Sequence, residues 1–289
     1  MRAVLGLLAA VIASLRAWNA AGHLVVAEIA RQQLLERSPG TLAAAEELLR
    51  AMPSAAAEDG QLFLESAVWA DRVAYLSGWR AFAAWHYRDL YHAPDGREVK
   101  LPAPPEHVVW ALRRCAETLR ARDSGVDGRV AKAFMLRFLL HLVGDVHQPL
   151  HNASLVDDRF PAGDRGGNAF AVKSRLGHSL HALWDAGVGE LTAVDVPLTA
   201  EGLAYVQAKA RQLAAETPRP PPDSDFETWS LAAHRLAVEA AYADIAPGET
   251  PSPAYLLRGA EVCRRQLVLA GYRLADALEQ LVGAPLPPV

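Results

Sequence analysis

The residues of this chain best suited to chemistry stand in Phe138-Leu-Leu-His141-Leu-Val-Gly-Asp145-Val-His147-Gln-Pro149-Leu-His151. His141 and Asp145 are four apart, so on a helix they project from one face. Pro149 lacks an N–H, which leaves the Asp145 carbonyl without its helical partner. The helix therefore kinks or ends there, and the chain turns to carry His151 back toward the same region. Two imidazoles and a carboxylate beside a helix end are ligand types that Zn²⁺ selects. Taken alone, a His-x3-Asp pair reads first as a hydrogen-bonded pair in a core helix. The second copy, His181-Ala-Leu-Trp-Asp185, reverses that reading. Two such pairs, with His151 between them, predict a site for several metal ions.

The elements that must position these residues are helical. Arg129–Val146 is apolar on most faces and predicts a buried central helix. Helical periodicity also marks Ala21–Glu36, Leu42–Met52, Leu62–Leu76, Glu106–Arg122, His178–Trp184, Ala200–Glu216, Asp225–Ala243 and Pro253–Val282. Loops are expected at 77–105, which holds Trp85-His86-Tyr87-Arg88-Asp89, and at 152–167. Ala169–Lys173 is the one segment that reads as a strand. A proline run at 218–222 acts as a stiff connector rather than a domain boundary. The expected fold is all-α: a single helical domain, 18–289, with long loops and at most a short hairpin.

The whole chain narrows the function classes. With 289 residues, 51% of them hydrophobic, it can build one substantial core. The formal charge is −4 and no basic block appears, so coating duplex DNA by charge alone is excluded. Metal ions are charges that such a count omits, so a nucleic-acid substrate stays open. Residues 1–17 combine Arg2 with a short apolar run from Val4 to Ala13, too short to span a bilayer and suited to a secretory signal. Its removal before Trp18 would leave 27 basic against 33 acidic side chains and send the protein to the periplasm or the medium. No other stretch predicts a membrane span. Cys115 and Cys263 form no metal-binding spacing, and whether they pair stays open.

Six short motifs occur in a fixed order: Trp-x4-His (Trp18, His23), Trp-Ala-Asp (69–71), Trp-His-Tyr-x-Asp (85–89), His-x3-Asp-x-x-Gln-Pro-Leu-His (141–151), Gly-Gly-Asn (166–168) and Leu-His-x3-Asp (180–185). In this order they resemble the S1/P1 nucleases, zinc-dependent enzymes related to zinc phospholipase C. The resemblance implies three Zn²⁺. One would take Asp71, His86, His141 and Asp145. A second would take His23, Asp145 and the freed α-amine and carbonyl of Trp18, so that Asp145 bridges the pair. The third would take His151, His181 and Asp185. It implies catalytic roles for Asp71 and Asp145, a base pocket at Tyr87 and Asp89, and a phosphate contact at Asn168. Tyr87 and Asp89 also read as surface residues of a loop, and Asn168 as a turn former.

The implied activity is hydrolysis of single-stranded DNA and RNA to 5′-phosphorylated products, with 3′-nucleotidase activity as a companion. Zinc phospholipase C is the alternative, and a non-catalytic zinc-binding helical protein a third reading. One departure stands out. Such nucleases often carry Arg or Lys three residues after the aspartate of Trp-Ala-Asp, where this chain has Ala74, leaving Arg72 as the nearest substitute. His147 reads as a supporting or core residue, and His92, His107, His178 and His234 as ordinary histidines. No stable membrane association is expected, and a monomer is the simplest oligomeric expectation.

Overall fold

Helix Ala20–Arg37 (α1) starts on Asn19, whose side-chain oxygen accepts the Gly22 N–H at 3.1 Å and satisfies one amide of the open first turn. The computed structural model describes residues 18–52, 61–74, 79–122 and 125–283. The expected leader, 1–17, lies outside them. Next come Pro39–Arg50 (α2), Leu62–Ser66 (α3), Trp69–Ala74 (α4), a 3-10 helix over Trp79–His86, and a two-residue strand, Tyr91–His92 (β1). Val108–Arg120 (α5) and Val126–His147 (α6) follow, then a 3-10 turn at Pro149–Asn152 and a second short strand, Ser154–Leu155 (β2). Leu180–Asp185 (α7), Ala200–Glu216 (α8), Phe226–Leu236 (α9) and Pro253–Leu281 (α10) complete the order.

α6 is the axis. Every residue from Leu136 to His147 is buried, the polar Arg137, His141, Asp145 and His147 among them, in a helix that is apolar on most faces. α2, α5 and α10 pack around it, and α10 also lies along α1. A Cβ at Gly271 of α10 would meet Ile29 of α1 at 2.5 Å, so this glycine sets how closely the two helices approach. The Trp184 indole donates to the Tyr255 hydroxyl at 2.8 Å, and that hydroxyl donates to Ala241 O at 2.7 Å, locking α7 to the C-terminal helices. The result is one mainly helical domain. Among the described residues no helix is long and apolar enough to cross a membrane.

Four local expectations are corrected. Leu62–Leu76 is not one helix but α3 and α4, broken at Ala67 and Val68, and the Ala67 carbonyl faces His141 Nδ1 at 2.7 Å. Part of the expected loop 77–105 is the 3-10 helix, because Phe82 and Trp85 pack on Phe138. Ala169–Lys173 is not a strand, since Ala171 makes only an isolated bridge to Ser179. The strands are instead β1 and β2, and they pair in parallel, so they form no hairpin. The helix expected over Asp225–Ala243 ends in a π turn at Ala237–Ala241. Cys115 and Cys263 are both buried and free.

Candidate metal centre

Proline chemistry at the end of α6 builds the first part of the site. With no N–H at Pro149, the Asp145 carbonyl accepts from Gln148 at 3.0 Å, and the chain turns tightly through Pro149–Asn152. That turn brings His151 beside α7, where its ring lies 5.0 Å from that of His181. The His181 Nε2 to Asp185 Oδ2 separation is 3.3 Å, as the spacing on a helix predicts. His151, His181 and Asp185 thus form one group, all buried.

Deeper in the fold, five residues converge. Asp145 directs Oδ1 at His23 Nε2 (3.4 Å), and Oδ2 at His86 Nδ1 (3.0 Å) and His141 Nε2 (3.3 Å). Asp71 Oδ1 lies 3.5 Å from His141 Nε2 and 4.0 Å from His86 Nδ1. The His23 and His141 rings stack with centroids 3.9 Å apart. His23 owes its position to α6: a Cβ at Gly144 would stand 2.7 Å from His23 Nδ1, so only glycine leaves room for the ring. The Trp18 indole donates to Gly144 O at 3.0 Å, and Asn19 N–H donates to Asp185 O at 2.9 Å. Trp18 is therefore fully buried against this cluster, at the point where α1 enters the fold.

These residues fit metal ions by their own chemistry. His141, His151 and His181 each hold Nδ1 against a backbone carbonyl, of Ala67, His86 and Gly166 respectively, at 2.6 to 2.7 Å. That contact fixes the ring and presents Nε2 to the site, as metal-ligating histidines require. Gln148 Nε2 donates to Asp185 Oδ1 at 2.7 Å and orients that carboxylate. Both His23 nitrogens, His151 Nε2, Asp71 Oδ1 and Asp145 Oδ1 are buried with no hydrogen-bond partner, a costly arrangement that a cation would relieve. Burial, then the neighbouring His141, lowers His23 to about 3, leaving the neutral imidazole that ligation needs. Burial would lower His141 as well, but Asp145 and Asp71 carry it to about 9. Burial opposes ionisation of the two aspartates, yet His141 holds both below their ordinary value. The cluster thus selects positive charge.

Next to the His151 group opens a cavity of about 140 Å³, lined among others by Tyr87, Asp89, Arg165, Asn168 and His181. Backbone hydrogen bonds assemble it. Arg88 N–H donates to His151 O (2.7 Å), Ser154 N–H to Leu90 O (3.1 Å) and Val156 N–H to His92 O (2.9 Å). These bonds zip segment 87–92 onto 151–156 and so set Tyr87 and Asp89 beside His151. Burial, then the charge of Asp164, pushes Asp89 up to about 6. The Asn168 side chain donates to Arg165 O at 2.9 Å, so it also braces its own turn.

The structure brings eight of the nine predicted ligand-bearing residues, from His23 to Asp185, into these two adjoining groups, and buries the Trp18 side chain against the first. It sets Tyr87, Asp89 and Asn168 in the cavity wall. Arg72 is exposed, and the wall does not include it. Arg165 is the lining residue that sequence reasoning missed, although it stands directly before the Gly-Gly-Asn element. His147 turns away from the ligands, holding Val143 O at 2.7 Å and Arg273 at 2.9 Å. The Asn152-Ala-Ser sequon is closed, because the buried Asn152 side chain donates to Val146 O and Gln148 O.

The description S1/P1 Nuclease belongs to the family model that matches residues 18–283. The chain is similar to Endonuclease 4 of Arabidopsis thaliana, 27% identical over 303 residues that cover 91% of this chain and 89% of the relative. It is also similar to Endonuclease 3 of the same organism, 26% identical over 297 residues that cover 92% and 90%. These matches identify a nuclease, and hence a phosphodiester hydrolase, of a metal-dependent family.

Proposed function

The chain belongs to the S1/P1 nuclease family, and on that premise we propose that it is an exported zinc enzyme. It hydrolyses single-stranded DNA and RNA to 5′-phosphorylated products and also removes 3′-phosphates from nucleotides. The observation that carries this reading is Asp145, whose two oxygens face different histidines while the cavity beside His151 lies open to a nucleotide. Asp71, His86, His141 and Asp145 would hold one ion, and His23, Asp145 and the terminal amine and carbonyl of Trp18 a second. His151, His181 and Asp185 would hold the third. Oxygen and nitrogen donors of this kind suit Zn²⁺. When bound, such ions supply Lewis acidity, which lowers the pKa of water toward about 7 and offsets negative charge growing at phosphorus.

The chain's own residues do the rest. Asp71 sits at the edge of the five-residue cluster, half-buried, where it can orient attacking water in line with the leaving oxygen. Tyr87 offers a ring on which an unpaired base stacks, and stacking tolerates any base while it discriminates against duplex. Asp89 reads the edge of that base, and Asn168 turns its amide toward the phosphate. Residues 1–17 act as the export signal, and their removal frees the Trp18 amine.

The test is product chromatography with protein beginning at Trp18, incubated with a single-stranded oligonucleotide before and after zinc removal. Zinc-dependent 5′-mononucleotides are expected. Absence of cleavage by protein shown to carry its metals would overturn the reading, and hydrolysis of phosphatidylcholine would then point to phospholipase chemistry. A form extended by one residue before Trp18 should lose about one equivalent of zinc by mass spectrometry.

A further inference from the structure

We propose that the Arg165 guanidinium binds a phosphate of the substrate strand, an inference that rests on the nuclease reading above. A polyanion approaching the cavity meets Asp89 on the wall, and the chain as a whole is acidic. Some side chain must offset that repulsion beyond the metal groups themselves. Arg72, the substitute suggested by position, is exposed and lies outside the cavity wall. Arg88, close in sequence, is committed elsewhere: its guanidinium donates to Glu227 at 2.6 Å and reaches Ser230 Oγ at 3.4 Å. Arg165 is the basic side chain on the wall. Among the described residues its guanidinium makes no hydrogen bond or ion pair, and its charge is felt at Tyr87.

The backbone explains how a long, exposed side chain is aimed. Arg165 has φ 60°, a left-handed conformation that glycine adopts freely and arginine does not. It is held there from both sides. Its N–H donates to Ser154 Oγ at 3.2 Å, and its carbonyl accepts the Asn168 N–H at 3.2 Å and the Asn168 side chain at 2.9 Å. The following residue is fixed as well, since a Cβ at Gly166 would meet Leu150 O at 2.5 Å, and Gly166 O holds His181 Nδ1 at 2.6 Å. An arginine kept in an unfavourable conformation, on a pinned loop, with its charge unpaired beside a ligand site, is a strained residue of the kind that accompanies binding. A guanidinium fork suits phosphate oxygens.

Steady-state kinetics on a single-stranded oligonucleotide, across a series of KCl concentrations, test the assignment in fully zinc-loaded protein. Arg165→Gln should raise KM by about 10- to 100-fold, the range of a lost charge-assisted hydrogen bond, with kcat changed far less. The slope of log(1/KM) against log salt should fall by about 0.7, the signature of one lost contact to a single-strand phosphate. Arg165→Lys should restore the slope. Arg165→Gly, which suits the backbone conformation, should reproduce the glutamine variant while keeping wild-type thermal stability and zinc content. A dinucleotide carrying only one phosphate locates the contact: the same KM rise assigns it to the reacting phosphate, and its absence to the neighbouring one. An unchanged KM and salt slope in Arg165→Gln would overturn the proposal, as would a defect that tracks loss of zinc. Wild-type protein that binds zinc yet cleaves no oligonucleotide would instead defeat the nuclease reading itself.

Discussion

His23, Asp71, His86, His141 and Asp145 are held by helices or helix ends, in a place where α1, α4, the 3-10 helix and α6 pack together. Tyr87, Asp89, Arg165 and Asn168 hang instead on loops tied to one another by backbone hydrogen bonds. In the first region each candidate ligand is fixed by packing, by a carbonyl on its other ring nitrogen, or by a neighbour that tolerates only glycine. In the second, side chains line an opening, and the Asn168 amide braces its own turn. A buried, over-determined cluster holds its geometry before anything binds, which is what chemistry at a fixed point requires. A loop-built wall can vary in what it recognises without disturbing that cluster. Substitutions in the first region should therefore act on metal content and kcat, and those in the second on KM.

The largest effect should come from Asp145→Asn. It removes one negative charge from the centre of the cluster while nearly preserving shape, so the fold survives and the cations are held less well. If the ions contribute several kcal/mol to the barrier, turnover should fall by roughly 10³-fold, with zinc content by mass spectrometry falling in parallel. A variant that kept zinc and turned over within about tenfold of wild type would break the comparison.

Next is Gly144→Ala. In an ordinary helix interior this exchange favours stability by up to about 1 kcal/mol. Here the new methyl would stand 2.7 Å from His23 Nδ1, so the ring must move. Overpacking of this kind costs about 1–3 kcal/mol, and displacing a ligand lowers activity by about 10- to 100-fold. A raised melting temperature with unchanged kcat would show that His23 is not held where the chemistry needs it. On the open wall, Tyr87→Ala should act differently. Loss of a stacking platform should raise KM for an oligonucleotide by about tenfold, with zinc content untouched.

The same division governs what could be read from the sequence. The grouping of the candidate ligands was legible because helical spacing encodes a shared face, as in His141 with Asp145 and His181 with Asp185, and because proline announces where a helix must stop. The mainly helical fold was legible for the same reason: long amphipathic or apolar periods survive without their neighbours. The break at Ala67 and Val68 was not legible, since no glycine or proline marks it and its evident use is a carbonyl offered to His141. The strands β1 and β2 are two residues each, too short to show alternation. They are visible only as the seam that joins two distant loops. Arg165 escaped because its significance lies in a left-handed backbone and a missing partner, and neither is written in residue type. The role of Ala74's absent charge was sought on α4, near in sequence, whereas the cavity wall carries its arginine at Arg165.

The smallest effect is the most specific to the pocket. Asp89 is raised to about 6 by burial and then by the charge of Asp164; its charge is felt at Tyr87 and Tyr91, and Arg165 lines the same cavity. Because the folded-state value lies above the ordinary 3.8, the folded protein holds this proton more tightly than the unfolded chain. The stability it contributes is complete below about 4 and is lost as pH rises through about 6. Asp89→Asn should therefore gain thermal stability relative to wild type over that window. The same titration changes what the pocket can read. Below about 6 a neutral carboxyl both donates and accepts; above it the carboxylate only accepts. A base edge rich in N–H donors, such as that of guanine, should then gain on one that needs a donor, such as that of adenine. The ratio of kcat/KM for the two should rise by about fivefold, the worth of one hydrogen bond. Titrations at the metals affect both substrates alike and cancel in the ratio, so an inflection near 6 reports the pocket alone. The inflection should vanish in Asp89→Asn. If it persisted there, the pH-sensitive group would have to be sought among the buried ligands, and the separation of chemistry from recognition would fail.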